Sequence, residues 1–319
     1  MPKQRGAAAR SRCNPRSADD HIVGHRTCYN QTERRVPIDA DLLRVPVGPG
    51  SLHVERYGLG GQAVLLVHGF GTSSFVWRNV GPAIALANLT AFAVDMLGYG
   101  ASDRPFDADY GIAAQAEYLD RALTALRMAR ATVVGLDLGG AVALRFAAAH
   151  PERVEKLVLI NPVAFDDIPA EDVKSLQRNT GRFALRISRG VMGAAPLMRE
   201  LLRNGVADPA NMPDALVGRY LAPYVGSDGV DHLLRTARVI DKDDMDEVDL
   251  RALPHQTLIL WGERDPWVSS KVGDELASAI GGSKLVRLPN ASRLVPEDAP
   301  DMVADLVLDF IGARTAGTV

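Results

Sequence analysis

The sequence predicts an α/β protein: a mostly parallel sheet with helices on both faces and one helical insertion. Three observations carry this reading. Short apolar or β-branched runs alternate with helix-length stretches from about residue 41 onward. The alternation stops between residues 162 and 253, and it resumes at 256. Repeated β-then-α units imply parallel strands joined by helical crossovers. The 319 residues are 47% hydrophobic and 24% charged, which suits a soluble globular protein with a large buried core.

Each element has its own signal. Residues 41–46 and 51–57 read as two strands joined by the turn Gly48-Pro49-Gly50, an antiparallel hairpin. The run 63–67 (AVLLV) is continuously apolar, as expected of a strand buried on both faces. Residues 75–86 predict a helix, and 90–95 (TAFAVD) the next strand. The stretch 111–127 predicts a helix, with Tyr118, Ala122 and Ala125 along one face beside Leu119, Leu123 and Leu126. Strand 132–136, the small-residue helix 139–150 stopped by Pro151, and strand 154–161 follow. Residues 162–253 carry no convincing buried strand and are punctuated by Pro169, Pro196, Pro209, Pro213 and Pro223. Strand 256–261, helix 269–280, strand 283–288 and helix 298–311 complete the pattern. The expected organisation is a tail over 1–35, a core built from 36–161 and 254–319, and a helical lid over 162–253 that covers the carboxyl ends of the strands.

Composition excludes several classes. Lys and Arg number 36 against 39 Asp and Glu, a formal charge of −3, so nothing suggests a protein-wide affinity for nucleic acid or an anionic membrane. No apolar run approaches the roughly 18 residues of a membrane span. The first 35 residues are Arg-rich and lack the apolar core of a secretory signal; they read as a disordered tail. Both cysteines, Cys13 and Cys28, lie in that tail, which leaves the body without a disulfide framework or thiolate metal site. The acidic run Asp241, Asp243, Asp244, Asp246, Glu247 and Asp249 reads as a solvated face, since no ligand spacing supports a metal. The expectation is a cytoplasmic location, no cofactor, no metal, a small-molecule substrate, and a homodimer as the candidate assembly.

Five ordered segments carry the chemistry. Gly135-Leu136-Asp137-Leu138-Gly139 has the form G-x-nucleophile-x-G, between a strand and a helix. So sharp a turn presents Asp137 at the top of the sheet, with the helix N-terminus aimed at it. His68-Gly69-Phe70-Gly71 follows a buried strand. Asp95-Met96-Leu97-Gly98-Tyr99-Gly100-Ala101-Ser102, Trp261-Gly262-Glu263-Arg264-Asp265 and the closing segment Pro289-Asn290-Ala291-Ser292-Arg293 come next in order. Together, over about 42–311, they resemble the α/β-hydrolase superfamily. The resemblance implies an oxyanion hole from the N–H groups of Phe70 and Leu138, a triad acid at Asp265, and a loop-shaping His68 at the edge of the substrate pocket. Trp77 would be core or pocket wall. Tyr220 and Tyr224, the lid tyrosines, would face substrate.

Two positions depart from the serine-hydrolase pattern. Asp137 stands where esterases have serine, which resembles the haloalkane dehalogenase and epoxide hydrolase branch. There a carboxylate displaces a leaving group from an alkyl carbon to form an ester. The histidine that would activate water for the second step maps to Arg293, which cannot act as a base. Leu138 and Phe70 replace the halide-binding Trp and the Asn of dehalogenases, whereas His68-Gly69-Phe70 resembles epoxide hydrolases, whose Trp after the Asp is also absent here. Three readings stay open: nucleophilic Asp137 helped by a second carboxylate or His68, non-hydrolytic chemistry of lyase, isomerase or cyclase type, or a catalytically inactive pocket. Arg293 is expected to pair with Asp137, Asp265 or both, keeping Asp137 ionised at neutral pH.

Overall fold

The computed structural model describes residues 39–178 and 195–313; the expected tail over 1–35 lies outside the described residues, as does the segment 179–194 of the expected lid. Eight strands form one sheet: β1 (Asp41–Pro46), β2 (Ser51–Tyr57), β3 (Ala63–Val67), β4 (Thr90–Val94), β5 (Ala131–Leu136), β6 (Val154–Ile160), β7 (Thr257–Gly262) and β8 (Lys284–Leu288). Their order is β1-β2-β4-β3-β5-β6-β7-β8. β1 pairs antiparallel with β2, and β2 antiparallel with β4; every later pairing is parallel. Every residue of β4, β5 and β7 is buried, as their unbroken apolar runs require, while the edge strand β1 keeps Asp41, Leu42 and Arg44 exposed.

Chain order reverses at β3. β4 lies on one side of it and β5 on the other. Such a switch point opens a crevice at the carboxyl ends of the strands. The loops after β3 and β5 carry His68–Phe70 and Asp137, so the fold itself brings these two segments together.

The helices are α1 (Gly81–Leu86), α2 (Ile112–Ala125), α3 (Leu138–Ala149), α4 (Glu171–Gln177), α5 (Ala195–Asn204), α6 (Asp214–Leu221), α7 (Gly226–Arg238), α8 (Lys271–Ala279), α9 (Val295–Asp298) and α10 (Pro300–Ile311). α2 packs with α3, and α1 with α10. Between β6 and β7 the described residues hold helices and turns and no strand. Two sequence expectations change. The helix over 75–86 is a 3₁₀ turn, Ser74–Trp77, followed by α1, because Pro82 forces a fresh start. The helix expected over 298–311 begins at Pro300, and a separate short helix, Val295–Asp298, precedes it.

Two glycines set the turn after β5. A Cβ on Gly139 would fall on the backbone carbonyls of Val67 and His68, and one on Gly135 on the carbonyl of Gly139. Backbone on backbone cannot relax by a rotamer change, so only glycine lets α3 start this close to β3. Gly139→Ala should therefore lower stability by about 3 kcal/mol or more, above the usual cost of overpacking. Gly218 in α6 meets nothing within 4 Å, so Gly218→Ala should instead stabilise by roughly 0.5–1 kcal/mol through helix propensity. Urea unfolding of the two variants beside the natural chain checks both signs.

Candidate active site

Asp137 sits between β5 and α3 with φ 54° and ψ −117°, a backbone region that a non-glycine residue rarely adopts. The turn is held by its own amides: the Asp137 N–H donates to Ile160 at 2.9 Å, and its carbonyl accepts from Gly140 at 2.9 Å and Val163 at 3.3 Å. The side chain is aimed across the crevice at β3. The Phe70 N–H donates to Asp137 Oδ2 at 2.9 Å. A Cβ on Gly69 would stand 2.6 Å from that same oxygen, so the glycine allows the approach.

The other carboxylate oxygen, Oδ1, accepts from Arg293 Nη2 in an ion pair. Both side chains are almost wholly buried, at 3% and 4% exposure for Arg293 and Asp137. Arg293 Nη1 lies 3.4 Å from Asp172 Oδ1 on the first turn of α4, and the guanidinium stands over the Trp267 ring, 5.3 Å from its centre. The expected partner Asp265 makes no direct pair with Arg293. Its Oδ2 accepts from Asn161 at 3.0 Å, and its Oδ1 from the N–H groups of Trp267 at 3.0 Å and Val268 at 3.2 Å. Asp265 reaches Arg293 through its charge and by fixing the loop of Trp267.

The electrostatics correct a second expectation. Burial pushes the Asp137 carboxyl up to about 6, and the nearby charge of Asp172 adds to the rise; Arg293 and the Phe70 N–H offset only part of it. Arginine was expected to reverse the upward shift, but desolvation is the larger effect. The conclusion about charge still holds at neutral pH, where about nine-tenths of a group titrating near 6 is ionised. Burial also raises Asp265. Arg293 is held protonated by the charges of Asp137, Asp172 and Asp265 against the cost of its burial.

Phe70, Thr72, Asp137, Asp172, Trp267 and Arg293 line a cavity of about 30 Å³, together with Met198, Leu201, Leu202, Gly205 and Leu294. Asp172 and the α5 residues come from the helical block, so that block shares the lining of the cavity with the loops after β3 and β5. Of the sequence candidates, Phe70, Asp137 and Arg293 meet in this cavity. Leu138, which is buried, and Asp265, which is half-buried, do not line it. Trp77 is fully buried core, not pocket wall. Tyr220 donates its hydroxyl to Glu297 Oε1, and Tyr224 is buried with no hydrogen-bond partner for its hydroxyl among the described residues. Neither lines the cavity.

His68 shapes its loop and does not supply a base. Its Nε2 accepts the Met96 N–H at 3.1 Å, so the proton is on Nδ1, which donates to the Gly69 carbonyl at 2.7 Å. Burial lowers its pKa further. No described histidine lines the cavity. Asp172 was not among the sequence candidates. Its signal is an acidic side chain on the buried stripe Asp172, Val173 and Leu176 of a short amphipathic helix.

The loop carrying Arg293 is tied to the helical block. The Leu294 N–H donates to Gly205 at 2.8 Å. The Asp298 carboxylate accepts from the N–H groups of Ala207 and Ser292, at 2.9 Å and 2.8 Å, and from Asn211 Nδ2 at 2.9 Å. Glu297 takes a two-pronged pair from Arg78, at 2.6 Å and 2.7 Å, besides the Tyr220 hydroxyl. Removing Arg293 alone would leave buried carboxylates without their counter-charge. Arg293→Met should cost about 3–5 kcal/mol in urea unfolding, and should move the Asp137 titration, followed by carbon NMR of the labelled carboxyl, above 6. The double variant Asp137→Asn with Arg293→Met should recover part of that loss.

Among the described residues, no helix is long and apolar enough to cross a membrane, and no group of three or more His, Cys, Asp or Glu is placed to hold a metal ion. A family model for the alpha/beta hydrolase fold matches residues 62–300. The chain is 27% identical over 265 residues to a 2-hydroxymuconate semialdehyde hydrolase of a Pseudomonas species, covering 81% of this chain and 90% of the relative. An alpha/beta hydrolase fold protein from Burkholderia ambifaria superposes with a TM-score of 0.74 at 29% identity, covering 85% of this chain and 99% of that one. The epoxide hydrolase CorEH superposes with a TM-score of 0.73 at 19% identity, covering 86% and 99%, a likeness of fold. With a mostly parallel eight-stranded sheet and a family match that runs from the end of the first hairpin to the head of the last helix, the chain belongs to the alpha/beta hydrolase fold family.

Proposed function

We propose that this is a hydrolase-fold enzyme in which Asp137 attacks a saturated carbon of a small apolar substrate, at a carbon–halogen bond or an epoxide. The observation that supports this most is the Asp137 carboxylate itself. It is ionised at neutral pH, held at the strand-to-helix turn by Phe70, and borders a cavity whose lining includes the apolar side chains of Met198, Leu201 and Leu202. A carboxylate needs no base for a displacement, whereas a serine in the same place would. Arg293 fits the first step. As Asp137 becomes a neutral ester, its negative charge passes to the leaving group, and the guanidinium remains beside both.

The same pairing argues for slow chemistry. Arg293 stabilises Asp137 in its charged ground state, and interactions equal in ground and transition states do not accelerate a reaction. A second reading is a non-hydrolytic or inactive member of the family. It is favoured by the engagement of both Asp137 oxygens and by the lack of an imidazole in the cavity.

Two outcomes follow. Incubation with bromoethane or propylene oxide should add one alkyl or hydroxyalkyl group to the intact protein, and peptide mapping should place it on Asp137. The rate of addition should rise about tenfold per pH unit below 6 and level off above it, following ionisation of the carboxylate. Absence of any adduct across both substrates would favour the second reading. Steady-state turnover should be slow, and Arg293→His should raise it at least tenfold by restoring an imidazole beside Asp137. Fast turnover by the natural chain that disappears on Arg293→His would instead make the arginine a required element.

A further inference from the structure

An ester on Asp137 must be hydrolysed for the site to turn over, and that step needs a base. The described histidines do not supply one, because none lines the cavity and the nearest, His68, has its acceptor nitrogen occupied by Met96. Asp265 does not supply one either, since Asn161, Trp267 and Val268 occupy both of its oxygens and it does not border the cavity.

Asp172 differs on each count. It reaches the cavity from the helical block, and among the described residues its one side-chain partner is Arg293, at the long distance of 3.4 Å. A carboxylate has about four acceptor positions, so most of this one's capacity is unspent. The guanidinium places it beside the reacting group: Nη1 faces Asp172 and Nη2 faces Asp137. The cavity of about 30 Å³ between them has room for about two waters, and Asp137, Asp172 and Thr72 can hold water there.

We propose that Asp172 is the general base that activates water against the ester formed on Asp137; this rests on Asp137 being the nucleophile. Asp172 takes one proton from the water. The hydroxyl oxygen bonds to the ester carbonyl carbon, and the carbonyl electron pair moves to oxygen, facing the Phe70 N–H. The pair then returns and the bond to the alkyl oxygen breaks. The departing alkoxide takes the proton back from Asp172 and leaves as the alcohol. Asp137 is left as a carboxylic acid, which loses its proton to solvent. Arg293 is charge-balanced throughout, by Asp172 while Asp137 is esterified and by Asp137 while Asp172 is protonated.

The test is single-turnover mass spectrometry with bromoethane on the natural chain, Asp172→Asn and Asp172→Glu. General-base catalysis supplies about 10²–10⁴ in rate. Adduct decay should therefore slow at least 100-fold in the asparagine variant, so that the ester accumulates, while adduct formation changes only a few-fold. The glutamate variant, which keeps a carboxylate, should decay within about tenfold of the natural chain. A merely structural role would disturb Arg293 and slow formation and decay together, and that result would overturn the proposal. Equal decay rates in the natural chain and the asparagine variant would overturn it too, while leaving Asp137 as the nucleophile. No adduct on any of the three would remove the nucleophile reading and this proposal with it. Should the asparagine variant not fold, the decay measured on the glutamate variant decides: a loss of more than 100-fold counts against a carboxylate base at 172.

Discussion

The site depends on one buried ion pair, Arg293 with Asp137. Taking either charge out of water costs several kcal/mol, and only close, well-bonded partners offset that. Here the offset is shared. Arg293 has Asp137 and Asp172 on its two terminal nitrogens and the Trp267 ring against its face. Asp137 has the guanidinium on one oxygen and the Phe70 N–H on the other. The balance is incomplete, and the direction of the Asp137 shift records it: burial outweighs the arginine, and the carboxyl sits near 6 instead of below its ordinary range. A group so placed is charged at neutral pH yet close enough to its titration point for local changes to matter.

The scaffold keeps this pair in register by fixing both ends. Asp137 is set by the β5 turn, where Gly135 and Gly139 allow backbone to meet backbone. Arg293 is set by a short loop whose neighbours are all engaged. Ser292 Oγ donates to the Arg264 carbonyl at 3.0 Å, Leu294 binds Gly205, and Glu297 and Asp298 gather donors from α1's approach and from the helical block. The helical block is therefore fastened to the very loop that carries the arginine. Asp172 enters from the same block, so the covering helices supply a charged member of the site as well as its apolar wall.

Much of this was legible in the sequence, and the exceptions share a cause. The sheet, its order of segments and the Asp137 turn follow from local signals: unbroken apolar runs for strands buried on both faces, and glycines where backbone must approach backbone. Phe70, Asp137 and Arg293, each at a fixed offset from a strand end, were sequence candidates that meet in one cavity. The surroundings of Asp172, Trp77 and Tyr220 are set by contacts far away in the chain. An acidic residue on an amphipathic stripe signals an unusual partner, yet the sequence does not say that the partner is Arg293, 121 positions on. The Tyr220 hydroxyl is likewise spent on Glu297, 77 positions on. The sign of the Asp137 shift was missed for a related reason. Pairing can be guessed from motifs, but the depth of burial that outweighs it comes only from the folded whole.

The replacement of an imidazole by a guanidinium changes what the site can do with charge. An imidazole moves protons, so it can start the attack of water and end it. A guanidinium moves none, and its value lies in standing still while negative charge shifts around it. In a displacement at carbon, the charge leaves Asp137 and appears on the departing group, and a fixed cation between them favours each state to a similar degree. Such an arrangement binds reactant and product forms evenly and accelerates only in so far as the charge in the transition state lies nearer to it. Proton transfer then falls to whichever carboxylate is left least occupied by hydrogen bonds. Asp265, with three donors on its two oxygens, is built to orient the Trp267 loop; Asp172, with one distant partner among the described residues, is the carboxylate with acceptor capacity facing the cavity.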